Sequence, residues 1–179
     1  RVDERTGGAL RASAACWCGG ERREGYGGHP PYREGNGTVS SAWGLDLPAI
    51  RPIVLRFAAG VSSANSDGIG IRVLVGPPHA AAQEVFSTHH RTTGKWVDYE
   101  TDLSAFAGRR VVVRIAVDVG PAPCNSYNDS FSLSVPTLFV GERPTAVADR
   151  AAVRARAVAN AKRGEYRLEG RGGRTYTAG

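Results

Sequence analysis

Residues 102–121 read DLSAFAGRRVVVRIAVDVGP, and this stretch decides the fold. Val111, Val113, Ile115 and Val117 recur at every second position, the period of a strand rather than of a helix. Val112 and Ala116 make the other face apolar too, which predicts a central strand covered on both sides. Upstream, Asp102 or Ser104 can cap one helical turn, and Gly108 can take the positive φ needed to leave it. Leu103 and Phe106 are then placed to plug the end of a core. The strand stops at Asp118-Val119-Gly120-Pro121, a turn signal.

The same period continues on both sides. Val39, Trp43, Leu45 and Leu47 mark a strand over 38–47 that ends at Pro48. Ile53, Leu55 and Phe57 form another, which ends at Gly60, and Ile69, Ile71, Val73 and Val75 a third, which ends at Gly76-Pro77-Pro78. Short strands follow at 84–88 and 96–101, and Phe131, Leu133 and Val135 alternate with serines up to Pro136. Leu138, Phe139 and Val140 make the last. About eight short strands with turn signals between them predict an all-β fold, a jelly-roll β-sandwich of antiparallel strands. No long apolar helix interrupts them, which argues against an α/β fold.

The flanks read differently. Residues 1–28 are rich in Arg, Glu and Gly without periodicity and predict an irregular segment. The sandwich is expected over 29–141. From 145 to 163 Ala and Arg dominate, which predicts a helix stopping at Gly164. Residues 142–179 therefore read as a linker and a helical extension, the start of a further domain that has been cut.

Composition agrees with a turn-rich β body: 179 residues include 23 glycines and 10 prolines. The chain contains no Met and reads as a piece of a longer protein. No long apolar run predicts membrane insertion. The formal charge of +6 is carried almost wholly by Arg, Lys95 and Lys162 being the lysines. Such a surface can attract acidic polysaccharide or phosphate, yet charge alone does not predict a nucleic-acid partner. Cys16 and Cys18 flank Trp17, closer than a C-x-x-C pair, and one of them could reach Cys124. Three free thiols are the alternative.

The order of motifs resembles the galactose-binding-domain-like β-sandwich modules, the carbohydrate-binding-module type appended to secreted bacterial glycoside hydrolases. The likeness rests on His29-Pro30-Pro31, Asp46-Leu47-Pro48 and Arg56 to Gly60, then Ser66-Asp67-Gly68 and Glu84-Val85-Phe86. Trp96, Asp102 to Gly108, Asp118 to Pro121 and Asp129 complete it, over residues 29–141. One departure is the run Phe131-Ser132-Leu133-Ser134-Val135-Pro136, where relatives carry a Trp-Gly pair. The resemblance implies a non-catalytic module that holds an enzyme, the catalytic domain of the same parent chain, on glycan or polysaccharide. It also implies a structural calcium and an extracellular or cell-surface location.

The candidate site residues follow from the chemistry of those ligands. Calcium takes carboxylate and carbonyl oxygens from turns, which Asp67 and Asp129 could supply, although Asp-Gly and Asn-Asp are also ordinary turn chemistry. Sugar rings stack on aromatic side chains, so Tyr32 and Tyr127 in loops are ligand candidates, with Trp96 and the strand residue Trp43 set against burial in the core. His89 and His90 lie in a polar loop before Trp96 and, like Trp96, are ligand-binding candidates, a solvated loop being the plainer reading; neighbours in a strand would point to opposite sides, which weakens a shared metal. The chain carries no G-x-S-x-G, H-E-x-x-H or phosphate-loop motif, and no enzyme is expected. A structural or protein-contact spacer, and an Arg-mediated binder of acidic polysaccharide, are the other readings.

Overall fold

A computed structural model of the chain describes residues 5–33, 37–141, 167–169 and 175–177. Ten strands build two antiparallel sheets: β1 (Ala9–Cys18), β2 (Glu21–His29), β3 (Val39–Asp46), β4 (Ile53–Val61), β5 (Ile69–Gly76), β6 (Gln83–His90), β7 (Val97–Asp102), β8 (Arg110–Asp118), β9 (Phe131–Ser134) and β10 (Thr137–Val140). A single 3-10 turn, Ser104–Phe106, lies before β8. The expected helix over 145–163 lies outside the described residues, and β11 (Arg167–Glu169) pairs with β12 (Thr175–Thr177). No helix among the described residues is long and apolar enough to cross a membrane.

The second sheet runs β3-β8-β5-β6. Strand β8 is central in it, as its valines predict, and Val111, Val113, Ile115 and Val117 all face the core. On the other face Ala116 is buried and Val112 only half-buried, so the covering there is incomplete. The first sheet runs β1-β2-β9-β4, with β10 continuing along the same edge of β4 and β7 on its other edge. Leu133 faces Ala59 whereas Thr137 faces Arg56, so one residue of the β9–β10 strand is extra. A bulge there lets Pro136, which has no N–H to give, sit in the strand. The hydroxyl of Ser134 accepts the N–H of Ala58 at 2.8 Å beside the bulge.

Ile53, Leu55, Phe57, Ala59 and Val61 meet Ile69, Ile71, Val73 and Val75 and the β8 set to form one core. Phe57 stacks edge-on against Phe86, with centroids 5.7 Å apart, and lies 5.6 Å from Tyr99. Leu103 and Phe106 close its end as expected. Asp102 Oδ1 accepts the N–H of Ser104, and Gly108 leaves the turn at φ 73°.

Residues 1–28, expected to be irregular, are corrected by the hairpin β1–β2, which joins the first sheet through the β2–β9 ladder. The sandwich thus starts well before residue 29. Gly25 lets β2 pass close to β9, since a Cβ there would lie 1.8 Å from the Leu133 carbonyl oxygen. The tip of the hairpin covers the outer face of β4: Cys16 and Cys18 pack with Ala58 and Trp96 in a second, small cluster. A bulge between Ser13 and Cys16 interrupts the ladder and hides the strand period in the sequence.

Candidate functional site

Strand register brings the polar loops to one end of the sandwich. Val61, Phe131 and Gly28 lie abreast, and Ile69 and Gly70 lie opposite His90 and Asp118. Residues 62–68, 91–96 and 119–130, and the chain leaving β2 at His29, therefore emerge together. Two side-chain links join the first and third of these loops. Asp67 Oδ2 accepts the backbone N–H and the side-chain amide of Asn125, both at 3.1 Å. The Ser66 hydroxyl donates to Asp129 Oδ1 at 2.6 Å and accepts the N–H of Gly68.

Each of these acids keeps one buried oxygen, Asp67 Oδ1 and Asp129 Oδ2, without a hydrogen-bond partner. Asp129 is fully buried. Burial pushes its carboxyl above the ordinary carboxylate range, and the charge of Asp67 pushes the same way. The Ser66 hydroxyl, His29 and His89 oppose the shift. A buried carboxylate oxygen without a donor is costly, on the order of 1–3 kcal/mol or more. The two acids chosen from turn chemistry thus lie in loops that are linked to each other. Among the described residues, no group of three or more His, Cys, Asp or Glu side chains could hold a metal ion.

The two histidines separate. Both end strand β6 rather than lying in a loop. His89 points outward, and its ring lies between Gly68 and Gly120. A Cβ on either glycine would come within 2.8 or 2.9 Å of Nε2, and both glycines hold positive φ. His89 Nε2 lies 3.7 Å from the sulfur of Cys124. His90 points into the core, 1% exposed, and shares a 2.7 Å hydrogen bond with the Tyr99 hydroxyl through Nδ1. Burial holds its imidazole below the ordinary histidine value. This corrects His90 as a ligand contact: the alternation of the strand turns it inward.

A second correction concerns Trp96. It is buried, its indole N–H donates to the Glu21 carbonyl oxygen at 3.0 Å, and the Arg23 guanidinium lies 5.1 Å from the ring centre. It anchors the hairpin tip and offers no platform. Trp43 is partly buried and meets Tyr26 edge-on. Tyr32 and Tyr127 do reach the surface, 50% and 76% exposed. The Tyr32 ring lies against Gly7, with His29 edge-on to it at 5.2 Å. Trp17, 58% exposed, escaped the sequence reading although its alternation with Cys16 and Cys18 carries the signal. Once the two cysteines face inward, the residue between them faces out. The three cysteines are free, with Cys16 and Cys18 buried and Cys124 half-buried. That settles the open pairing in favour of three thiols.

An open cleft of about 410 Å³ crosses the outer face of the second sheet beside this end, lined by Gly70, Arg72, Ser87, Thr88, His89 and Asp118 among others. Asp118 Oδ1 accepts the N–H of Gly120, and Arg72 donates to Oδ2 at 3.0 Å. Gly70 makes room, since a Cβ there would lie 2.0 Å from the carboxylate. Arg72 Nε is buried without a partner. The lining offers hydroxyl, imidazole, guanidinium and carboxylate groups in a row, a set suited to a polar ligand with several hydroxyls.

No family model matches the chain, and no curated protein does. Solved structures similar to it include TmCBM61 in complex with β-1,4-galactotriose, 12% identical over 78% of this chain and 86% of that one, at a TM-score of 0.48. A CBM4 structure is 16% identical over 76% and 80%, at 0.39. A structure of the infectious bursal disease virus Gx strain is 10% identical, covering 76% of this chain and 33% of that one, at 0.38. Carbohydrate-binding modules are thus among the structural neighbours.

Proposed function

We propose that the chain is a non-catalytic carbohydrate-binding module, an accessory part of a larger secreted or cell-surface protein that brings a catalytic domain to glycan. The observation that carries this reading is the loop end itself. Exposed Tyr32 and Tyr127 share one end of the sandwich with His89 and the cleft. Aromatic faces supply apolar stacking for a sugar ring, and the cleft side chains supply hydrogen bonds to its hydroxyls.

Calcium completes the proposal. Asp67 Oδ1 and Asp129 Oδ2 are buried carboxylate oxygens that lack donors, and a hard divalent cation is a partner such oxygens take. Carbonyl and water oxygens would fill the remaining positions. The ion would neutralise both carboxylates and lock residues 62–68 to 119–130.

A second reading has its own observation. The formal charge of +6 is carried almost wholly by Arg, and such a surface suits an acidic sugar, held by charge as well as by hydroxyls. A glycan array probed at low and high salt, with calcium and then with chelator, separates the two. Salt-resistant binding to neutral glycans supports the first, and binding to uronic-acid glycans that falls steeply with salt supports the second. Absence of binding to any glycan would leave a structural spacer.

A further inference from the structure

We propose that Trp17 is a further sugar-stacking platform, set beside the loop end and engaged by an extended glycan chain. The inference rests on the carbohydrate-binding reading and adds a chain-length requirement to it.

Trp17 lies at the tip of the β1–β2 hairpin, 58% exposed, between the buried Cys16 and Cys18. The backbone beneath the ring is held from several sides. The Ser62 hydroxyl donates to the Trp17 carbonyl oxygen at 3.3 Å, and the Trp96 indole N–H to that of Glu21. Arg23 pairs with Glu21 at 2.9 Å and with Asp98 at 2.8 Å. A platform fixed in this way has little backbone freedom left to lose when a ligand settles on it.

Its place suits a chain already held at the loops. Ser62 opens the segment 62–68, whose Asp67 accepts from Asn125, and Asn125 Oδ1 accepts the N–H of Tyr127 at 2.6 Å. Trp17 and Tyr127 therefore flank the same loop. The five residues from Ser62 to Asp67 span at most about 18 Å when extended, so one oligosaccharide can reach both aromatics. Each ring held on its own platform adds to the binding of the other, so affinity rises with chain length.

The neighbours of Trp17 favour a sugar over a protein. Arg22 stands directly across the ladder, with Cβ atoms about 5 Å apart, and its guanidinium is steadied by donating to the Ala14 carbonyl oxygen from Nε and Nη2. Exposed Ser62 and Lys95 border the tip. The exposed aliphatic residues Ile50 and Val140 lie at the far end of β4. A protein hot spot surrounds its aromatic with contacts that exclude water. A lone indole among hydroxyl, ammonium and guanidinium groups suits a pyranose, with its apolar face and rim of hydroxyls.

The test uses the full chain on an array of neutral glycans holding short and long members of each backbone series, followed by calorimetry on those bound. Wild type should bind the long members more tightly than the short. Trp17→Ala should weaken the long members tenfold or more and leave the short within about twofold, Trp17→Phe should recover part of the loss, and far-UV circular dichroism should be unchanged. Trp43 is partly buried and Trp96 buried, so acrylamide quenching reports chiefly on Trp17. A bound long glycan should protect the emission from acrylamide, and a short one should not. Binding by wild type that Trp17→Ala retains in full, or a long glycan that gives no protection, would overturn this inference alone. Absence of binding by wild type would overturn the carbohydrate reading and this inference with it.

Discussion

His90 is the residue whose chemistry reaches furthest into stability. It is buried against Tyr99, so only the neutral imidazole suits its site. Its folded-state pKa is depressed, which places its stabilising contribution above the ordinary value of about 6.5. That contribution is lost as pH falls below 6.5 and through the folded-state pKa, because the unfolded chain takes the proton first. The denaturation midpoint, measured with chelator present, should therefore drop between pH 7 and pH 5. His90→Gln should flatten that slope, by about 1.4 kcal/mol for each pKa unit of depression. An unchanged slope in the variant would show that other groups carry the pH dependence. His90 also shows how far a sequence can be read. The rule that neighbours in a strand face opposite ways was available, but the run Thr88-His89-His90-Arg91 has no apolar residue to mark the strand's end. Only the ladder with Ile69 and Gly70 shows that β6 extends to His90.

At the scale of elements, the strands with β-branched alternation were legible and those without it were not. Strands β4, β5 and β8 carry Val, Ile, Leu and Phe on the core face, and hydrophobic period alone identifies them. The β1–β2 hairpin carries Ala, Gly, Arg and Glu, residues of low strand propensity. It is held instead by its pairing with β9 and by the packing of Cys16 and Cys18 on Ala58 and Trp96, neither of which a local pattern records. The β9–β10 bulge is a case where local chemistry stands in for a ladder bond. Ser134→Ala would leave the Ala58 N–H without its acceptor, at a cost of about 1–3 kcal/mol. Chemical denaturation should show this loss with the m-value unchanged. A loss below about 0.5 kcal/mol would mean that water or a neighbouring carbonyl replaces the hydroxyl.

Across the whole molecule, the two sheets act as a frame that gathers loops from distant parts of the chain at one end. Asp67 and Asp129, far apart in sequence, lie in loops that meet there and keep orphaned oxygens, and burial pushes the Asp129 carboxyl above the ordinary carboxylate range. Calcium should raise the melting temperature of the wild type, by an amount equivalent to about 2.7 kcal/mol at a hundred times its dissociation constant. Asp129→Asn should lose that response and, in chelator, should be no less stable than the wild type, because burial disfavours the ionised carboxylate that the substitution removes. A full calcium response in the variant would place the ion elsewhere. The turns that carry the two acids were legible in the sequence, while the cleft was not. Its members, Arg72, Ser87, His89 and Asp118, come from three strands and become neighbours only through register.

The most direct test of the central claim is glycan binding by the whole chain, read on an array and then by calorimetry, for the wild type and for Tyr127→Ala, His89→Gln and Trp96→Phe. The proposed surface predicts binding to a defined glycan that falls tenfold or more in the first two variants and stays within about twofold in Trp96→Phe. No binding to any glycan by the folded wild type, or binding lost in Trp96→Phe alone, would contradict it.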